Sequence, residues 1–124
     1  EVFEILEAEK DDTLQGVFHC FTGGPEHMDR INALDFYVSY SGILTFKNAL
    51  GIQNSVPLVP DNRILVETDC PYLAPQAMRG KRNEPSFVWW TAEFLAGLKG
   101  ISLEQTARLC SENARALFRL PSIE

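Results

Sequence analysis

Three short apolar segments, residues 16–21, 36–42 and 64–69, alternate with stretches of helical pattern, and this alternation limits the fold more than any other feature of the chain. Strands separated by helices pair in parallel through crossovers, which implies an α/β architecture. The strands are apolar on both faces, as in a sheet covered by helices. The first residues, Val2, Phe3, Ile5 and Leu6, form a short amphipathic turn or two, and the chain reads as though it begins inside a helix. Pro25 opens a helix running to about Leu34, and Thr45 to about Val56 is helical, closed by Pro57 and Pro60. Pro85 starts a helix through about Leu98, which the Gly97 and Gly100 pair weakens. Ser102 with Gln105 three residues on is the capping-box pattern, and it starts the last helix. Leu103, Ala107, Cys110, Ala114 and Leu117 recur at helical spacing and predict the buried stripe of that helix. Trp89 and Trp90 are expected in the core. The order is thus β-α-β-α-β-α-α, and three strands are few for such a sheet.

Alternation along a strand fixes which residues share a face. Val17, His19 and Phe21 point one way, as do Leu65, Glu67 and Asp69 in the third strand. His19 and Asp69 both fall near strand C-terminal ends, where parallel α/β folds bind ligands. Each has a plainer reading. A lone His at a strand end is often a hydrogen-bonded structural residue, and an Asp before a break is a common turn former. Glu67 is harder to set aside, because a carboxylate in an apolar strand must be paired or liganded. A structural salt bridge and a supporting role beside an active site both fit it. Cys20 faces away from His19 by the same alternation and is expected to pack as a small hydrophobe.

Charge narrows the function classes. The 124 residues carry a formal net charge of −6, which argues against holding nucleic acid by bulk electrostatics. The basic run Arg79-Gly80-Lys81-Arg82-Asn83 stands out in this acidic chain, on the side of the third strand where a substrate would sit. Arg grips phosphate through paired hydrogen bonds; a solvated loop that aids solubility is the bland alternative. Three cysteines without a Cys-x-x-Cys pair suit reduced thiols in a cytoplasmic protein. No apolar run reaches transmembrane length, and no membrane partner is expected.

The motifs resemble those of the TatD-related deoxyribonucleases. His19-Cys20-Phe21-Thr22-Gly23 resembles the family's His-x-Phe-[Ser/Thr]-Gly, and Ser41 through Asn48 its next motif. Glu67-Thr68-Asp69-Cys70-Pro71-Tyr72-Leu73 resembles Glu-Thr-Asp-x-Pro-Tyr-Leu. Arg79 through Pro85 matches a fourth, and Asn113 through Phe118 matches the last helix.

The resemblance implies a partial TIM-like (β/α)8 metal-dependent hydrolase barrel. Residues 1–124 would be its C-terminal portion, about the last three βα units plus a helix. It implies a divalent metal cofactor (Mg, Mn or Zn), with His19 and Asp69 as metal ligands, Asp69 also handling the proton of the attacking water, and Glu67 in support. DNA is the substrate it implies, cleaved by a metal-activated water, with Arg79, Arg82 and Asn83 placed beside the substrate by loop position. Hydrolysis of another ester or amide in the same superfamily is the alternative chemistry. The family's His-x-His pair, bridging Glu and further His have no counterpart here, and His27 matches no ligand. A whole barrel needs roughly 250 residues. A fragment with little activity of its own is therefore expected, with two open sheet edges. A catalytically dead half-barrel that binds or assembles is the reading from a different functional class.

Overall fold

The computed structural model describes residues 1–122. Three parallel strands, β1 (Val17–Phe18), β2 (Tyr37–Tyr40) and β3 (Ile64–Val66), lie side by side in that order. Val17 is in register with Tyr37, and Val38 with Ile64. The helices are α1 (Val2–Ala8), α2 (Met28–Ala33), α3 (Leu50–Ser55), α4 (Val88–Lys99) and α5 (Leu103–Phe118). The expected alternation is present, and β1 and β3 are the two edges of the sheet.

All four residues of β2 are buried, as befits a central strand covered on both faces. One face and the helices share a core of Met28, Ile31, Leu34, Val38, Tyr40, Leu44, Val56 and Leu95. The strands are shorter than the apolar runs that predict them. Two of those runs are broken by left-handed residues, Cys20 at φ 48° and Asp69 at φ 58°. A left-handed residue ends the extended backbone and turns the chain at the top of its strand.

The helices also begin later than their prolines. Pro25 and Pro85 each head a 3₁₀ turn, Pro25–His27 and Pro85–Phe87, before α2 and α4. The predicted helix from Thr45 separates into a 3₁₀ turn at Gly42–Thr45, the helix α3, and a second 3₁₀ turn at Val56–Leu58. The capping box forms as expected: the Ser102 side chain accepts from the Gln105 N–H at 3.0 Å, and Gln105 Oε1 accepts from the Ser102 N–H at 2.9 Å.

Two packing expectations need correction. The buried line of α5 is Thr106, Cys110 and Asn113, whereas Ala107 is exposed and Leu103, Ala114 and Leu117 are half-buried. The helix is rotated because Asn113 Nδ2 donates to both Asp61 O and Ile64 O, each at 2.8 Å, which holds that polar face against the start of β3. The Leu103–Ala107–Ala114 face instead opens on a cleft shared with Leu65, Trp89 and Ala92. Trp89 stands at that cleft 46% exposed, with its ring edge-on to Trp90; it is not a core residue.

Candidate functional site at the strand ends

His19, Glu67 and Asp69 line one cavity of about 320 Å³, together with Val17, Ser39, Leu65 and Val66. The strand phase explains the grouping. In parallel strands residues of matching phase project to one side, and Val17, Ser39 and Leu65 carry that side beneath the three polar groups. Past Phe18 and Val66 the chain leaves the sheet, so the polar groups sit above the last paired residues.

Glu67 organises this end of the sheet. Its Oε1 lies 3.0 Å from His19 Nδ1, and its Oε2 accepts the Cys20 N–H at 3.0 Å. One carboxylate therefore ties the turn after β1 to the turn after β3. The Glu67 N–H donates to Tyr40 O at 2.9 Å, which seats its backbone against the central strand. A carboxylate acceptor at Nδ1 selects the tautomer protonated there and leaves Nε2 with its lone pair. The His19 side chain is 69% exposed, and Glu67 only 21%. The imidazole is thus the accessible member of the pair and the carboxylate its support. Asp69 makes no side-chain hydrogen bond or ion pair among the described residues.

Cys20 is half-buried, with Sγ 3.3 Å from Ser41 Oγ. Burial pushes its thiol up; the Ser41 hydrogen bond pulls the other way, and the Asp69 and Glu67 charges add to the rise. A thiol held protonated is a poor nucleophile, which agrees with a packing role. The Ser41-Gly42 step has a steric reason: a Cβ at Gly42 would collide with the Leu73 carbonyl oxygen and lie 3.0 Å from Pro75 N. The loop after β3 can fold onto the end of β2 because residue 42 is glycine.

The basic loop divides. Arg82 lines a neighbouring cavity of about 420 Å³ with Cys70, Pro71, Asn83, Glu84 and Pro85, directly after Asp69. It forms no ion pair among the described residues. Arg79 lies elsewhere, its guanidinium 4.8 Å from the centre of the Phe46 ring, and it lines neither cavity. Asn83 is 2% exposed, its side-chain N–H groups donating to the backbone carbonyls of Thr68 and Tyr72. His27 stacks on Phe3, away from the cavity. A buried clamp at Asn83 is invisible in a sequence where its neighbours Lys81 and Arg82 are charged and exposed; its one sequence signal is being the uncharged end of a basic run.

His19 and Asp69 fit part of a divalent-metal site: an imidazole with its second nitrogen engaged, and a carboxylate without a partner. They do not make a whole one. No group of three His, Cys, Asp or Glu side chains suited to hold a metal occurs among the described residues.

A family model described as TatD related DNase matches residues 1–119. The chain belongs to that family. It is 44% identical over 120 residues to the uncharacterized metal-dependent hydrolase YabD of Bacillus subtilis, covering 97% of this chain and 47% of the relative. It is 40% identical over 116 residues to the 3'-5' ssDNA/RNA exonuclease TatD of Erwinia billingiae, covering 89% of this chain and 44% of that one. Among solved structures, that of YJJV, a TatD homolog from Escherichia coli K12, superposes with a TM-score of 0.78 at 24% identity, over 86% of this chain and 41% of the other. The fold is therefore a fragment of the TatD (β/α) barrel, and the chain spans under half the length of the curated relatives it matches.

Proposed function

We propose that this chain contributes part of the active site of a metal-dependent hydrolase, with nucleic-acid phosphodiester bonds as its substrate. The observation that carries the reading is the Glu67 carboxylate bridging His19 Nδ1 and Cys20 N. Such a carboxylate–imidazole pair is what a metal-ligating His requires, because the second hydrogen bond fixes its tautomer and raises its basicity. His19 Nε2 and the Asp69 carboxylate are the groups that would hold the ion. When bound, a divalent metal lowers the pKa of water and supplies a nucleophile near neutral pH. The Asp69 carboxylate would be the group to take a proton from an attacking water, and Arg82, in the cavity that begins at Cys70, would pair with a phosphate oxygen. Arg79, set against the Phe46 ring, and Asn83, buried with its side-chain N–H groups on Thr68 O and Tyr72 O, are not assigned a substrate contact.

Nucleic acid is favoured over another ester or amide because an unpaired arginine borders the Asp69 turn in an otherwise acidic chain. The exonuclease name of the Erwinia relative points the same way. The chain works as one portion of a larger barrel, with no membrane part assigned: no helix among the described residues is long and apolar enough to cross a membrane. Reduced thiols at Cys20, Cys70 and Cys110 fit a cytoplasmic setting.

The test is a chimera. The chain is joined to the half of the Bacillus subtilis relative that it does not match, and cleavage of end-labelled single-stranded DNA is followed with Mn2+, Mg2+ and Zn2+. Metal-dependent cleavage, abolished by Asp69→Ala, is the expected result. A folded chimera that cleaves nitrophenyl esters but no DNA would move the assignment to the other hydrolases of this superfamily.

A further inference from the structure

Asn83 is buried at 2% exposure in a loop whose neighbours Lys81, Arg82 and Glu84 are exposed. Burying an amide is unfavourable unless its hydrogen bonds are made, and here they converge on one short segment. Nδ2 donates to Thr68 O at 2.5 Å and to Tyr72 O at 2.6 Å. The Asn83 backbone N–H donates to Pro71 O at 3.1 Å, and Oδ1 accepts the Glu84 N–H at 3.0 Å. Asp69 lies inside the segment so gripped, at φ 58°, a left-handed conformation that residues other than glycine seldom adopt.

The two peptide planes that flank the Asp69 Cα are held separately. The plane entering it contains the Thr68 carbonyl, which Asn83 fixes. The plane leaving it contains the Asp69 carbonyl, which accepts the Tyr72 N–H at 3.1 Å. The Asn83 backbone N–H holds the far side of that second bond through Pro71 O, which shares a peptide plane with the Tyr72 N–H, and Nδ2 holds the next plane through Tyr72 O. With both planes set, the direction of the Asp69 Cα–Cβ bond is set. Nothing else among the described residues holds the Asp69 carboxylate, which has no hydrogen-bonding partner of its own. Its aim rests on the backbone.

We propose that Asn83 is the positioning residue for Asp69: it holds the left-handed turn that points this carboxylate into the cavity shared with His19. The proposal rests on the reading of Asp69 as part of a metal site. It replaces substrate contact as the main work of Asn83, since both side-chain N–H groups are already spent on carbonyls.

The experiment uses the 124-residue chain, its Asn83→Ala and Asp69→Ala variants, and two nuclear magnetic resonance readouts. Amide exchange at Tyr72 reports the turn without any metal. A Mn2+ titration, followed by line broadening at His19, reports the aim of the carboxylate. In Asn83→Ala, exchange at Tyr72 is expected to quicken about tenfold or more while the core amides of Val38 and Leu95 keep their protection. The Mn2+ midpoint is expected to rise about tenfold, approaching that of Asp69→Ala. An unchanged midpoint in Asn83→Ala, with Asp69→Ala shifting it, leaves the site reading in place and rejects the role of Asn83; so does a shifted midpoint with Tyr72 exchange unaltered. A midpoint that Asp69→Ala does not move defeats the site reading and the proposal together. If the core amides show that Asn83→Ala does not fold, Asn83→Ser, which retains one short donor, is judged by the same criteria.

Discussion

Glu67 and His19 are joined across the sheet, Oε1 to Nδ1 at 3.0 Å, by residues that stand 48 positions apart in sequence. The second Glu67 oxygen holds the Cys20 N–H, so the carboxylate orients both the imidazole and the backbone that carries it. Glu67→Ala should release the ring. In nitrogen-15 spectra the native chain is expected to show His19 protonated at Nδ1, and the variant a shift toward the Nε2-protonated form. Metal affinity should fall by about 10–100-fold, the usual effect of removing such a partner. Identical His19 spectra in the two proteins would mean that the contact does not set the tautomer.

Asn113 gives a test of the packing. Its buried Nδ2 donates to Asp61 O and Ile64 O and anchors α5 to the start of β3. Asn113→Ala leaves two carbonyls without that donor, at a cost of about 1–3 kcal/mol for each buried group left unsatisfied. The urea midpoint should drop with little change in slope. A midpoint equal to that of the native chain would show that α5 is held by its apolar contacts alone.

Asn113 and Asn83 mark what the sequence conceals. That His19, Glu67 and Asp69 meet at one end of the sheet was legible from their places at the ends of two apolar runs. The period of two, however, stops at Phe18 and Val66. Phe21, expected on the side of His19, packs in the core beside Tyr40, and Asp69 is aimed by a left-handed turn. The order of elements and the Ser102 cap were legible as well, since they rest on local chemistry. Asn83 and Asn113 were not legible. Each is a polar residue buried by backbone carbonyls from elsewhere in the chain, and hydrophobic pattern carries no record of such partners. The face of α5 was misjudged for the same reason: the apolar stripe was counted, while Asn113 chose the rotation. Arg79 and Arg82 looked alike in the basic run, and the nearby Phe46 ring separates them.

Tyr40 predicts the alkaline limb of stability. It is fully buried with its OH 2.6 Å from Ser55 Oγ, and burial pushes its phenol up to about 12, with the Ser55 hydrogen bond opposing the rise. In the unfolded chain the phenol ionises near its ordinary value of about 10. A pKa raised by folding means that stability is fully present below pH 10 and is lost as pH climbs from about 10 to 12, by at most about 1.4 kcal/mol per pH unit. Tyr40→Phe should flatten the fall in unfolding free energy over that window. The same slope in both proteins would contradict the assignment.

In the proposed reading the chain holds part of a metal site and not the whole. A catalytic site takes about three protein ligands and an open position, and the proposed pair, His19 with Asp69, would supply two. The most direct measurement is the cleavage of end-labelled single-stranded DNA by the purified 124-residue chain across a series of Mn2+ concentrations. Weak metal binding and little or no cleavage at any concentration are expected. Metal-dependent cleavage by the chain alone at micromolar Mn2+, lost in Asp69→Ala, would contradict the proposed reading and require a complete site assembled by another route, such as two copies of the chain.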